Sequence, residues 1–147
     1  MKKFLKFLPV LLAGILAISL WSCDDDKDEP VAYDELPAAA QTFLTTYYPS
    51  VKTVSVTKDK DEFDVVLANG HKVDFNKQGE WQDVDAPMGQ TIPTGFYPSA
   101  IDDYVANMAN NAGINEISKI REGYEVETLT GLEIHFSSEG NFIGYDN

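Results

Sequence analysis

Apolar and polar positions along this chain change period once, and the change then recurs. From Leu36 the apolar residues fall at Leu36, Ala39, Ala40, Phe43, Leu44 and Tyr47, the spacing of one buried helical stripe. Pro37 suits the first helical position, where its missing N–H costs nothing, and Pro49 stops the helix. The period then becomes two. Val51, Val54 and Val56 make a β-prone run bounded by Lys58-Asp59-Lys60-Asp61. Phe63, Val65 and Leu67 share one strand face, with Asp64 on the other. Asn69-Gly70 is a hairpin signal, because a type I′ turn needs positive φ at both central residues. The return strand puts Val73 and Phe75 inward with Lys72 and Asp74 outward, and a turn at Gly79 leads into a last strand at Trp81 to Val84.

The same pattern returns 61 residues later without a gap. Leu36-Pro37 falls on Tyr97-Pro98, Phe43-Leu44 on Tyr104-Val105, Val65 on Val126 and Gly70 on Gly131. Phe75 falls on Phe136, Gly79 on Gly140, Trp81 on Phe142 and Asp85 on Asp146. Glycines, aromatics and β-branched residues recurring in register mark a tandem duplication. The second helix reads Tyr97, Ala100, Ile101, Tyr104, Val105 and Met108, ending by Gly113. Its strands put Tyr124, Val126, Ile134 and Phe136 inward, Glu125, Glu127, Glu133 and His135 outward, and finish at Phe142 to Tyr145. Half-polar strands predict a sheet with one face covered and one face wet. The expected fold is α+β: two tandem helix-plus-antiparallel-meander repeats forming one continuous antiparallel sheet, with the helices on one face.

Ahead of this lies a segment of different character. Lys2, Lys3 and Lys6 open the chain, and Phe7 to Leu20 is almost wholly apolar, shorter than the roughly 20 residues of a permanent membrane span. The run ends at Leu20-Trp21-Ser22-Cys23, the chain's only cysteine, which has no partner for an internal disulfide. This resembles a bacterial lipobox, with Trp21 a departure from the usual small or aliphatic residue, and the resemblance implies cleavage before Cys23 and lipid attachment there. Asp24-Asp25-Asp26-Lys27-Asp28-Glu29-Pro30 follows as a charged tether with nothing apolar to bury, expected to be disordered. An acidic run after such a cysteine resembles the surface-export signal of Bacteroidetes lipoproteins. The expected organisation is a leader over 1–22, a tether over 23–33, a first repeat over 34–86, a linker over 87–96 and a second repeat over 97–147.

A helix opening on Leu-Pro, then Tyr-x-Val, a turn glycine, Phe, Gly and Trp or Phe, given twice behind such a leader, resembles the PepSY-like family of Bacteroidetes envelope proteins. That family is similar in fold to the β-lactamase-inhibitor protein. The likeness rests on Phe63, Val65, Asn69-Gly70, Phe75, Gly79 and Trp81 and their counterparts, which are packing and turn positions. It therefore implies fold, together with a binding or inhibitory role, and designates no catalytic residue.

Charge narrows the partners. The chain carries 24 acidic against 11 basic side chains, a formal net charge of −13, and loss of Lys2, Lys3 and Lys6 with the leader would take it to −16. Such a surface repels phosphate backbones and anionic lipid, so nucleic acid is not an expected partner, and the membrane is reached only through the N-terminal lipid. His71 and His135 have no second His or Cys at metal-ligand spacing, and each is read as an exposed histidine at a turn or on the wet sheet face. Asp59-Lys60-Asp61 lacks the glycine and closing Glu of an EF-hand loop. There is no Gly-x-Ser-x-Gly elbow and no glycine-rich phosphate loop. No metal, cofactor or catalytic residue is assigned, and the chain is read as a non-enzymatic envelope module that binds a protein or peptide, periplasmic or at the cell surface. Tyr48 and Phe96 are the candidate partner contacts, since rigid aromatics often anchor an interface. The alternatives are an envelope hydrolase with its site in the cleft between repeats, or a structural component of an envelope assembly.

Overall fold

The computed structural model describes residues 28–108 and 113–146. Cys23 and the apolar run before it lie outside the described residues. Strand β1 (Glu29–Pro30) and a 3-10 turn (Tyr33–Glu35) precede helix α1 (Ala38–Tyr47). Strands β2 (Thr53–Asp59), β3 (Glu62–Leu67), β4 (Lys72–Asn76) and β5 (Trp81–Asp85) follow. Helix α2 (Ser99–Ala106) leads into β6 (Ile114–Ile120), β7 (Gly123–Thr128), β8 (Glu133–Ser137) and β9 (Phe142–Tyr145). The strands form one nine-stranded sheet in sequence order, every neighbouring pair antiparallel.

Local details recur at the 61-residue offset. The Leu67 N–H donates to His71 O at 2.9 Å and the Thr128 N–H to Leu132 O at 3.0 Å. Gly79 donates to Asn76 O at 2.8 Å, and Gly140 to Ser137 O at 2.9 Å. Gly70 and Gly131 have φ of +86° and +77°, the left-handed region expected of both glycines. Register shifts fall between Thr53 and Ser55 in β2 and between Ile114 and Glu116 in β6, each a bulge that turns its strand.

Burial follows the alternation. Phe63, Val65 and Leu67 of β3, Val73 and Phe75 of β4, Val126 of β7, and Ile134 and Phe136 of β8 are all buried. Phe43 of α1 meets Phe75 edge-on, with ring centroids 5.6 Å apart, and Tyr104 of α2 meets Phe136 likewise at 5.3 Å. Phe96, between the helices in sequence, stands 5.0–5.2 Å from the rings of Phe43, Tyr47 and Trp81 and 4.8 Å from that of Tyr97.

Three expectations are corrected. Pro37 is the residue before α1 rather than its first, with ψ of 145° holding it in extended backbone. The turn at Asn69-Gly70 is not type I′: Asn69 does not take positive φ, and the Gly70 N–H donates to Leu67 O at 2.9 Å, so Ala68 and Asn69 are the central residues and Gly70 is the left-handed residue after them. The end of the acidic tether is ordered: Glu29 and Pro30 lie opposite Lys58 and Thr57, and the Val31 N–H donates to Val56 O at 3.0 Å. Proline is tolerated there because β1 is an edge strand.

Candidate functional site

Because side chains alternate along each strand, strand register decides which outward residues become neighbours. One cross-strand row runs Thr57, Asp64, Asp74, Asp83, Ser118, Glu125, His135 from β2 to β8. The row beside it runs Val66, Lys72, Asp85, Glu116, Glu127, Glu133 from β3 to β8. Across these two rows Lys72 is the one lysine or arginine set against Asp64, Asp74, Asp83, Asp85, Glu116, Glu125, Glu127 and Glu133. Like charges directly opposite each other cost a sheet stability, so so many carboxylates in contact are not explained by packing.

Protonation relieves part of that repulsion. Asp74 is pushed up to about 7, first by burial and then by the charges of Asp64, Asp83 and Glu62, with Lys72 opposing. Glu116 is pushed up to about 7 by burial, then by Asp83, Asp85 and Glu127. Burial also raises Asp64 and Asp83, against hydrogen bonds to Asp64 from Asp74 and Thr57 and to Asp83 from Ser118 and Glu116. Asp64–Asp74 and Asp83–Glu116 are thus carboxyl pairs in which both members are raised, each able to share one proton or to give it up to a cation. Glu116, Ser118, Glu125, Glu127 and Glu133 line a small cavity of about 210 Å³ at the β6–β8 end.

There the chemistry changes from oxygen alone to oxygen with nitrogen. Glu125 and His135 are register partners, with His135 Nε2 2.9 Å from Glu125 Oε2. Asp146, just past β9, brings a carboxylate oxygen so that one donor atom from each of the three lies within 4.8 Å of the others. The backbone places it, its N–H donating to Glu133 O at 3.2 Å.

The aromatic candidates fall elsewhere. Tyr48 is 4% exposed and its hydroxyl lies 3.1 Å from His71 Nδ1, so it is a core residue and not an anchor presented to a partner. His71, expected exposed at a turn, is buried too, and burial lowers its pKa. The physical reason is mutual: each polar tip satisfies the other, which lets both rings join the core. Phe96 is half-buried within the ring cluster described above, and the structure does not bring it to the acidic rows.

Sequence reasoning placed Asp64, Asp74, Glu125, Glu127, Glu133 and His135 outward but missed that they align with Asp83 and Glu116 into rows. Alternation gives the face; only the β5–β6 pairing, Asp83 opposite Ser118 and Asp85 opposite Glu116, joins the two halves of each row.

Fold and site together define an α+β protein with one continuous antiparallel sheet and an acidic polar face. The chain belongs to the PepSY-like family, described as "Putative beta-lactamase-inhibitor-like, PepSY-like", whose model matches residues 18–64 and 61–144. Three solved structures are similar over most of the chain. One is described as "a putative calcium-regulated periplasmic protein" from Bacteroides thetaiotaomicron, 29% identical, with a TM-score of 0.75 over 82% of this chain and 97% of that one. A periplasmic protein of the DUF2874 family from Bacteroides vulgatus is 34% identical, with a TM-score of 0.74 over 85% and 99%. Another from Bacteroides vulgatus, of unknown function, is 29% identical with a TM-score of 0.76 over 82% and 100%. No curated protein matches the chain. Among the described residues, no helix is long and apolar enough to cross a membrane.

Proposed function

We propose that this chain is a non-enzymatic envelope module, lipid-anchored through Cys23, whose acidic sheet face binds a cationic segment of a protein or peptide partner. On this reading the two halves are copies of one unit, their helices cover the apolar face together, and the polar face is left for recognition. The observation that carries it is the pair of aligned carboxylate rows with Lys72 their one lysine or arginine. A lysine- or arginine-bearing strand or loop laid across β3–β8 would neutralise charges that otherwise repel each other, which favours association and steers it over a distance.

The test is capture of envelope proteins on the immobilised full chain, against a variant carrying Asp74→Asn, Asp85→Asn and Glu116→Gln. The wild type is expected to retain a basic protein that the variant releases, with retention falling as salt shortens the Debye length to about 3 Å at 1 M. Equal capture by both chains would sink the reading.

A second reading has its own support. Carboxylate oxygens are the donors that Ca²⁺ takes, and one similar structure is described as "a putative calcium-regulated periplasmic protein". Calcium held by Asp64, Asp74, Asp83 and Glu116 would displace their shared protons. A calorimetric titration with CaCl2 on the same two proteins separates the readings: heat with the wild type alone favours the ion.

A further inference from the structure

We infer that Glu125, His135 and Asp146 form a site for a divalent first-row transition metal of the zinc type, at the β7–β8 end of the first row, where a nitrogen donor joins the carboxylates. The three side chains come from three successive positions in the sheet: β7, β8 and the residue that follows β9. Their donor atoms already lie within 4.8 Å of one another, whereas zinc ligands at bond lengths of about 2.0–2.2 Å in a tetrahedron stand roughly 3.3 Å apart. Small side-chain rotations close that gap. Glu125 and His135 need the least, since Nε2 and Oε2 are 2.9 Å apart across a register pair on two interior strands, and an ion would take the place of the hydrogen they now share. Asp146 is exposed and lies beyond the last strand, free to turn in.

Donor type selects the metal. An imidazole nitrogen with two carboxylates suits zinc and its neighbours, while calcium prefers oxygen throughout. Glu127 and Glu133 stand opposite each other in the next row and add negative potential without occupying the site. Gly144 lies opposite His135 on β9, and a side chain there would meet nothing within 4 Å, so the imidazole is open on that side for the water that completes a three-ligand site. The positions 61 residues earlier are Asp64, Asp74 and Asp85. They carry no nitrogen, so the site belongs to the second half only.

The experiment is a calorimetric titration of the full chain with ZnCl2, followed in parallel by NMR of the histidine rings. The chain has two histidines, and buried His71 serves as the internal reference. Zinc is expected to move the His135 ring signals and leave those of His71 in place, while CaCl2 leaves both. His135→Gln and Asp146→Asn should each weaken zinc binding by about tenfold or more. Asp146→Asn is an exposed change outside the strands, so a loss of binding there is not a loss of fold. Unmoved His135 signals at saturating zinc, or undiminished affinity in both variants, would overturn the site. So would zinc binding that disappears with Asp74→Asn and Glu116→Gln but survives His135→Gln, because it would place the ion among the carboxylates of β3–β6.

Discussion

Strands β5 and β9 occupy corresponding positions at the 61-residue offset and end up in different physical situations. Trp81 corresponds to Phe142, Val84 to Tyr145 and Asp85 to Asp146. Strand β5 has β6 on its far side, whereas β9 is the last strand of the sheet. Trp81 is 8% exposed and Val84 wholly buried, while Phe142 and Tyr145 are 41% and 47% exposed. Trp81 stacks on Tyr124 across the junction, 6.0 Å between centroids, with Lys119 Nζ 4.5 Å over its ring. Phe142 instead stacks on Tyr104 at 4.9 Å, beside Tyr145 at 5.0 Å. Two strands at corresponding positions therefore become core or edge according to their neighbours.

The largest expected effect tests that difference directly. Trp81→Ala should cost about 3–5 kcal/mol, the usual range for removing a large buried aromatic. Phe142→Ala, which gives up a half-exposed ring, should cost roughly 1 kcal/mol. Urea unfolding of both variants gives the two numbers, and equal losses would mean that the edge position does not matter.

A smaller effect tests where the halves should agree. Gly79 and Gly140 have φ of +83° and +85°, and an added Cβ would lie 2.8 Å from the Ala40 backbone nitrogen in one case and from Pro98 Cβ in the other. Gly79→Val and Gly140→Val should each cost about 1–3 kcal/mol for the backbone strain alone. Gly79→Val is expected to be the worse, since backbone yields less than a proline ring. A Gly140→Val protein that melts with the wild type would break the equivalence of the two helix-to-turn contacts.

These contrasts also explain what could be read in advance. The helical stripes apart from Ala39 and Ala100, the left-handed Gly70 and Gly131, and the inward set of Val65, Val73, Phe75, Val126, Ile134 and Phe136 follow from local period and turn chemistry, and the structure keeps them. Tyr48 and His71 could not be read. Each looks polar and loop-bound in sequence, and only their meeting across 23 residues at 3.1 Å makes both fit for burial. Among 24 acidic residues no pair stood out, and the carboxylate rows emerge only when β5 pairs with β6 across a connection containing α2. Asp146 had no visible link to His135 until β9 brought it round.

The smallest effect concerns the carboxyl pairs Asp64–Asp74 and Asp83–Glu116 and reads as a pH dependence. Asp74 and Glu116 hold their protons to about pH 7 in the fold, against ordinary values of 3.8 and 4.5. Between those limits the folded chain binds more protons than the unfolded one, so their contribution to stability is full below about pH 4 and is lost as pH rises through 7. His71 works in the other direction. Its lowered pKa means that the unfolded chain takes the proton first, so its contribution is present above the ordinary 6.5 and is lost as pH falls. The informative quantity is therefore the difference between the wild type and an Asp74→Asn, Glu116→Gln variant, in which the His71 contribution cancels. Near pH 4 the two proteins should be alike, since a neutral amide replaces a neutral acid. At pH 8 the variant should be the more stable, by roughly 0.2–1 kcal/mol for each like-charged pair relieved. Melting curves at the two pH values measure the change, and a difference that stays constant between them would show that these carboxyls titrate like exposed ones and that the acidic face is not under the electrostatic load assigned to it.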